Sequence, residues 1–131
     1  MTRFSIRPTL RIFYSEAVSV PDRWVLASSD LNARARILEA AGPIEVVTTE
    51  ATGFSTRLEA ASVLILDLDE GGETALKELT DARSSGVVPP IVVGFMSHVD
   101  RDLGRAARAA GCRPIARGRF WSHLPDELGP G

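Results

Sequence analysis

The sequence predicts a single α/β domain: a doubly wound parallel sheet with helices on both faces. Three observations carry this. Strand-like and helix-like segments alternate from Arg23 onward. The runs SVLILDL (62–68) and VPPIVVGFM (88–96) are apolar enough for strands covered on both sides. The chain has 131 residues, 44% hydrophobic and 24% charged, which suits one core and argues against wholesale disorder.

The elements follow in order. RWVLAS (23–28), a short apolar run ending in small polar residues, reads as the first strand. DLNARARILEAAG (30–42) sets Leu31, Ala35, Leu38 and Ala41 at the helical spacing of an apolar face. Asp30 can cap its start and Gly42 its end. The β-branched PIEVVTTE (43–50) reads as the second strand. GFSTRLEAA (53–61) predicts a short helix presenting Phe54 and Leu58, and SVLILDL is the third strand. ETALKELTDARSSG (73–86) lines Ala75, Leu76, Leu79 and Ala82 along one helical face. The fourth strand follows the proline pair in 88–96. HVDRDLGRAARAAG (98–111) predicts a helix with Val99, Leu103, Ala106, Ala107 and Ala110 inward. Gly104 inside it costs about 1 kcal/mol relative to alanine. CRPIA (112–116) is a short fifth strand, and RFWSHLPDEL (119–128) a terminal helix broken near Pro125. Right-handed crossovers leave few topologies for such a chain. Residues 1–22 fall outside the repeat and read as an N-terminal extension. It would pack on the 23–131 domain, or on a second copy, through Ile12, Phe13 or Tyr14.

Composition excludes several classes. The net charge is −2, and of the 15 basic residues only Lys77 is a lysine, so no basic footprint for nucleic acid is present. No apolar run approaches the ~20 residues of a membrane span, and the start lacks the apolar core of a secretory signal. A cytoplasmic location is expected. Cys112 is the only cysteine, which rules out an intramolecular disulfide and a multi-cysteine metal site, and it reads as a buried structural thiol. Gly71-Gly72 has no GxxxxGK[ST] or GxGxxG pattern around it and is not read as a phosphate cradle.

VLILDLDEGG (63–72), PIVVGFMSHVD (90–100) and RAARAAGCRPIA (105–116), in this order and spacing, resemble the receiver domain of bacterial two-component response regulators. The resemblance runs from about Arg23 to Leu128. It implies a five-stranded sheet in the order 2-1-3-4-5, with function at the carboxyl ends of the strands. It also implies phosphoryl transfer to an aspartate after the third strand. Mg²⁺ on an acidic pair after the first strand assists that step, with a hydroxyl after the fourth strand and a lysine after the fifth.

Asp67 matches the phosphoacceptor position, and the other positions depart from the pattern. Ser28-Ser29 stand where the acidic pair should be, with Asp30 one residue further on. Phe95 or Met96 takes the hydroxyl position, with Ser97 just beyond. Gly118 lies near the lysine position, and the flanking Arg117 and Arg119 are not equivalent to lysine at a tight site. The chain thus resembles a degenerate pseudo-receiver. The expectation is a non-catalytic, stand-alone signalling and interaction module: not an enzyme, with no metal and no cofactor. Asp67 would be vestigial, paired with Arg117 or Arg119. Ser28, Ser29, Asp30, Asp69, Ser97, His98 and Arg117 would form the pocket rim. Asp30 should cap the first helix, and Ser97, with Asp100 completing a capping box, the fourth. His98 at the mouth could sense pH between roughly 5 and 8, whereas His123 reads as a surface or packing residue.

Two alternatives stay open. One is an atypical phosphoreceiver modified on Asp67, with Asp69 or Glu70 recruited for metal. The other is a small-molecule or cofactor binder on a flavodoxin-like fold, although no cobalamin-type histidine follows the first strand and no flavin phosphate loop is visible. The expected partner is a protein, with no nucleic acid and no membrane. The resemblance points to the face made by 98–111, 112–116 and 119–128, which would also serve a homodimer. Phe120 and Trp121 are the candidate interface aromatics, one entering the core and its neighbour staying outside.

Overall fold

The computed structural model describes residues 23–97, 100–124 and 126–128. The N-terminal extension, with Ile12, Phe13 and Tyr14, lies outside the described residues, as do His98 and Val99. The elements are β1 (Arg23–Ala27), α1 (Leu31–Ala41), β2 (Glu45–Thr49), a 3₁₀ turn (Phe54–Arg57), β3 (Val63–Asp67), α2 (Gly72–Ser84), β4 (Ile91–Met96), α3 (Arg101–Ala109), β5 (Arg113–Ala116), α4 (Arg117–Ser122) and a second 3₁₀ turn (Asp126–Leu128). The five strands are all parallel, in the order β2-β1-β3-β4-β5. This is the doubly wound topology expected. The chain runs from β1 to β2 on one side and returns to β3 on the other. That reversal opens a crevice at the carboxyl ends of β1 and β3, where open α/β sheets bind ligands.

Alternate side chains of each strand point to opposite faces, which produces two apolar layers. On one face, Val25, Ala27, Leu64 and Leu66 pack with Phe54, Leu58 and the α2 residues Ala75, Leu76, Leu79 and Ala82. On the other, Trp24, Leu26, Ile65, Val93 and Phe95 pack with Ala33, Ile37 and Ala41 of α1, and with Phe120 and Leu128. Every residue of β3 is buried, Asp67 included.

Several local expectations need correction. The buried face of α1 is Ala33, Ile37 and Ala41, while Leu31 and Leu38 are 76% and 52% exposed and Ala35 is exposed too. Both sets have helical spacing, and the sheet selects the one bearing Ile37. The segment 53–61 forms only the four-residue 3₁₀ turn, although Phe54 and Leu58 are buried as expected. Helix α3 starts at Arg101, with Asp100 as its N-cap accepting from the Leu103 amide at 3.0 Å. Ser97 is therefore not the cap, and Ala106 is exposed rather than inward. The terminal helix ends at Ser122. The later 3₁₀ turn is clipped back by Glu127, whose carboxylate accepts from Arg113 Nη1 at 2.8 Å and Arg119 Nε at 2.9 Å. These two hydrogen bonds hold the Glu127 carboxyl below its ordinary range.

Gly94 marks the tightest approach in the sheet. A Cβ there would lie 2.7 Å from Leu68 Cδ1 and 2.9 Å from Cys112 Sγ. Gly94→Ala is expected to destabilise the fold by about 1–3 kcal/mol through overpacking, seen as a lower urea midpoint at unchanged m-value. The Cys112 thiol against it is buried, and burial pushes its pKa up to about 12, which makes it inert.

Candidate functional site

The carboxyl ends of β1, β3, β4 and β5 bring together four acids, three serines and one arginine. β3 ends on Asp67, which is buried. Its Oδ2 accepts from Ser28 Oγ at 2.7 Å, and its Oδ1 accepts from the Asp69 amide at 3.1 Å. Arg117 Nη1 lies 3.6 Å from Oδ1. Burial raises the Asp67 pKa, and the Ser28 hydroxyl and the Arg117 charge only partly offset it.

Arg117 follows β5 directly as the first residue of α4. Its Nη1 donates to Asp69 Oδ2 at 2.7 Å and its Nη2 to Asp30 Oδ2 at 2.9 Å. Its Cζ stands 4.7 Å over the Phe95 ring, a cation–π seat that restricts where the guanidinium can go. One arginine thus contacts the acids of two loops and the end of β3. Arg119, the other candidate partner of Asp67, is spent on Glu127.

Asp30 serves two partners. Its Oδ1 caps α1, accepting from the amides of Asn32 at 2.9 Å and Ala33 at 3.3 Å, while Oδ2 is held by Arg117. Asp69 accepts from the Ser97 amide, at 2.8 Å on Oδ1 and 3.0 Å on Oδ2, and from Ser97 Oγ at 2.7 Å. Burial alone would raise its pKa, but the Ser97 amide and hydroxyl together with Arg117 outweigh it and hold the carboxyl below its ordinary value. Glu70 accepts from the Ser29 amide at 2.9 Å and from the Ser29 hydroxyl.

The residues present do not fit a divalent metal. The two serines at the acidic-pair position are neutral, and Ser28 is turned toward Asp67. Asp30 and Asp69 are engaged by the Arg117 guanidinium, and Glu70 is committed to Ser29. Among the described residues, no three His, Cys, Asp or Glu side chains gather as metal ligands. Carboxylates, hydroxyls and one arginine hydrogen-bond one another here and cross-link the strand-end loops.

Of the sequence candidates, Ser28, Ser29, Asp30, Asp67, Asp69, Ser97 and Arg117 all meet here. His98 lies outside the described residues. Phe120 is fully buried, stacked on Phe95 at 5.0 Å between centroids, so it offers no contact surface, which corrects its place among the interface candidates. Trp121 is half-buried, with Arg36 5.2 Å over its ring. Arg34 was not anticipated. Its Nε donates to the Ser28 carbonyl at 2.7 Å and its Nη2 to the Thr49 carbonyl at 3.3 Å, which fixes the backbone under the site. No feature of the sequence separated it from the other helical arginines.

A groove of about 390 Å³ lies beside the site between α3 and β5, lined by Met96, Ser97, Gly104, Ile115 and Ala116 with Arg101, Arg105 and Arg108 along its α3 side.

No protein-family model matches the chain, and neither does any curated protein sequence. Among solved structures, it is similar to a CheY-like protein, TadZ, from Pseudomonas aeruginosa PAO1. The TM-score is 0.66 at 20% identity, covering 82% of this chain and 99% of that one. The fold is the CheY-like receiver fold.

Proposed function

We propose that the chain is a non-catalytic receiver-fold signalling module that acts by binding a protein rather than by accepting a phosphoryl group. The observation that carries this is Arg117, held among Asp30, Asp67 and Asp69 where a working receiver would need room for a metal ion and a phosphate. Three carboxylates around one guanidinium leave the site negative. An incoming phosphate would meet these carboxylates while Asp69 already occupies the Ser97 and Arg117 donors. The CheY-like fold supports a signalling role. The groove between α3 and β5 is the surface best suited to a partner, with an apolar floor at Met96, Pro114 and Ala116 and arginines along one wall. It fits a segment that carries apolar residues flanked by acids.

The test is incubation with acetyl phosphate, or with beryllofluoride, in the presence of Mg²⁺, read by intact-protein mass and by amide NMR shifts. The expected result is no stoichiometric adduct and no shift distinguishing the native chain from Asp67→Asn. An adduct lost in Asp67→Asn would show an atypical phosphoreceiver and overturn this reading.

A further inference from the structure

Building on the non-catalytic reading, we propose that Asp69 is the resident ligand of an oxyanion site: its carboxylate fills, from within the chain, a donor set suited to phosphate, and so holds the end of β4 in one position. The donors are an amide, a hydroxyl and a guanidinium. The Ser97 amide lies 2.8 and 3.0 Å from the two carboxylate oxygens, and Ser97 Oγ and Arg117 Nη1 each lie 2.7 Å from Oδ2. Charge-assisted hydrogen bonds of this kind recognise carboxylate and phosphate oxygens alike.

The placement gives the contact a consequence. Ser97 directly follows Met96, the last residue of β4, and both line the groove beside α3. Arg117 directly follows Ala116, the last residue of β5, which lines the same groove. Asp69, in the turn after β3, therefore ties together the ends of the two strands beneath the groove. Because this anion is part of the chain, its local concentration exceeds that of any free competitor. The Asp69 side chain is 28% exposed, so shortening it opens the donors to a small solute.

The full chain, its Asp69→Ala and Asp69→Asn variants, and the Asp69→Ala/Ser97→Ala double variant are compared without Mg²⁺. Each is measured in chloride and in inorganic phosphate at matched ionic strength, by thermal melting and by amide hydrogen exchange. Asp69→Ala is expected to melt about 3–6 °C lower in chloride, with exchange at the Ser97 amide about 10-fold faster. Phosphate at about 20 mM should recover at least half of the lost melting temperature, as a millimolar site would by linkage. The native chain should not respond, and the double variant should recover less than the single. Unchanged Ser97 exchange in Asp69→Ala overturns the proposal, as does a phosphate effect of equal size in the native chain or no recovery at all. If Asp69→Ala does not fold, Asp69→Asn decides: faster Ser97 exchange than native supports the proposal, and native-like exchange overturns it. All these measurements use unmodified protein. An adduct on Asp67 in the earlier test would refute the non-catalytic reading without altering them.

Discussion

Arg117→Met is expected to unfold at markedly lower urea than the native chain, with a loss of about 2–4 kcal/mol. The substitution keeps much of the side chain's length and apolar stem but removes the charge. It leaves Asp67 buried beside Asp69, with only the Ser28 hydroxyl and one amide for compensation. The figure sits below that for a fully buried pair because Asp30 and Asp69 are 39% and 28% exposed and can draw on water. The pH dependence has a definite sign. The carboxyl of Asp69 titrates below its ordinary value in the fold, so its contribution is present above about pH 4 and lost as pH falls through the lowered value. Asp67 titrates above its ordinary value, so its charged form opposes folding near neutrality and that opposition fades on protonation. Removing Arg117 weakens the first effect and strengthens the second. The gap between native and variant should therefore be widest near neutral pH and narrow on the acid side, first as Asp67 protonates above its ordinary value and then as Asp69 protonates below its own. A constant gap across pH would mean that Arg117 acts through packing alone.

Phe120→Ala is expected to cost about 3–5 kcal/mol, the range for emptying an aromatic site in a core. Phe120 is fully buried, stacks on Phe95 at 5.0 Å and meets Trp121 at 4.9 Å. α4 has only six residues, so its position depends on this anchor rather than on its own helical stability. Phe95 also backs the Arg117 guanidinium, so the same substitution should loosen the charged site. Trp121→Ala, at a half-buried position, should cost less. Equilibrium urea unfolding of both variants checks the ranking, and a Trp121 loss as large as that of Phe120 would contradict it.

The charged site was legible in part. Asp67 stood out because a strand buried on both faces ended on an acid. Asp30 read as a cap because an acid precedes a helical pattern. Both roles are local and leave a local trace. The second role of Asp30, as a ligand of Arg117, joins residues 87 positions apart and leaves none. Ser97 showed the reverse failure: a serine before a helical run reads as a cap, but Asp69 takes its hydroxyl and Asp100 caps instead.

The sequence by itself determined the class of fold, the strand ends and the acid at the centre. The period of apolar residues and the chemistry of caps are short-range properties of the chain. Tertiary structure alone decided which face of α1 is buried, since two sets of residues share helical spacing and only contact with the sheet selects Ile37 over Leu31 and Leu38. It also decided the partner of each charge. Fifteen basic residues were available in the sequence. The parallel sheet, by bringing the ends of β1, β3, β4 and β5 to one edge, selected Arg117 to stand among the acids.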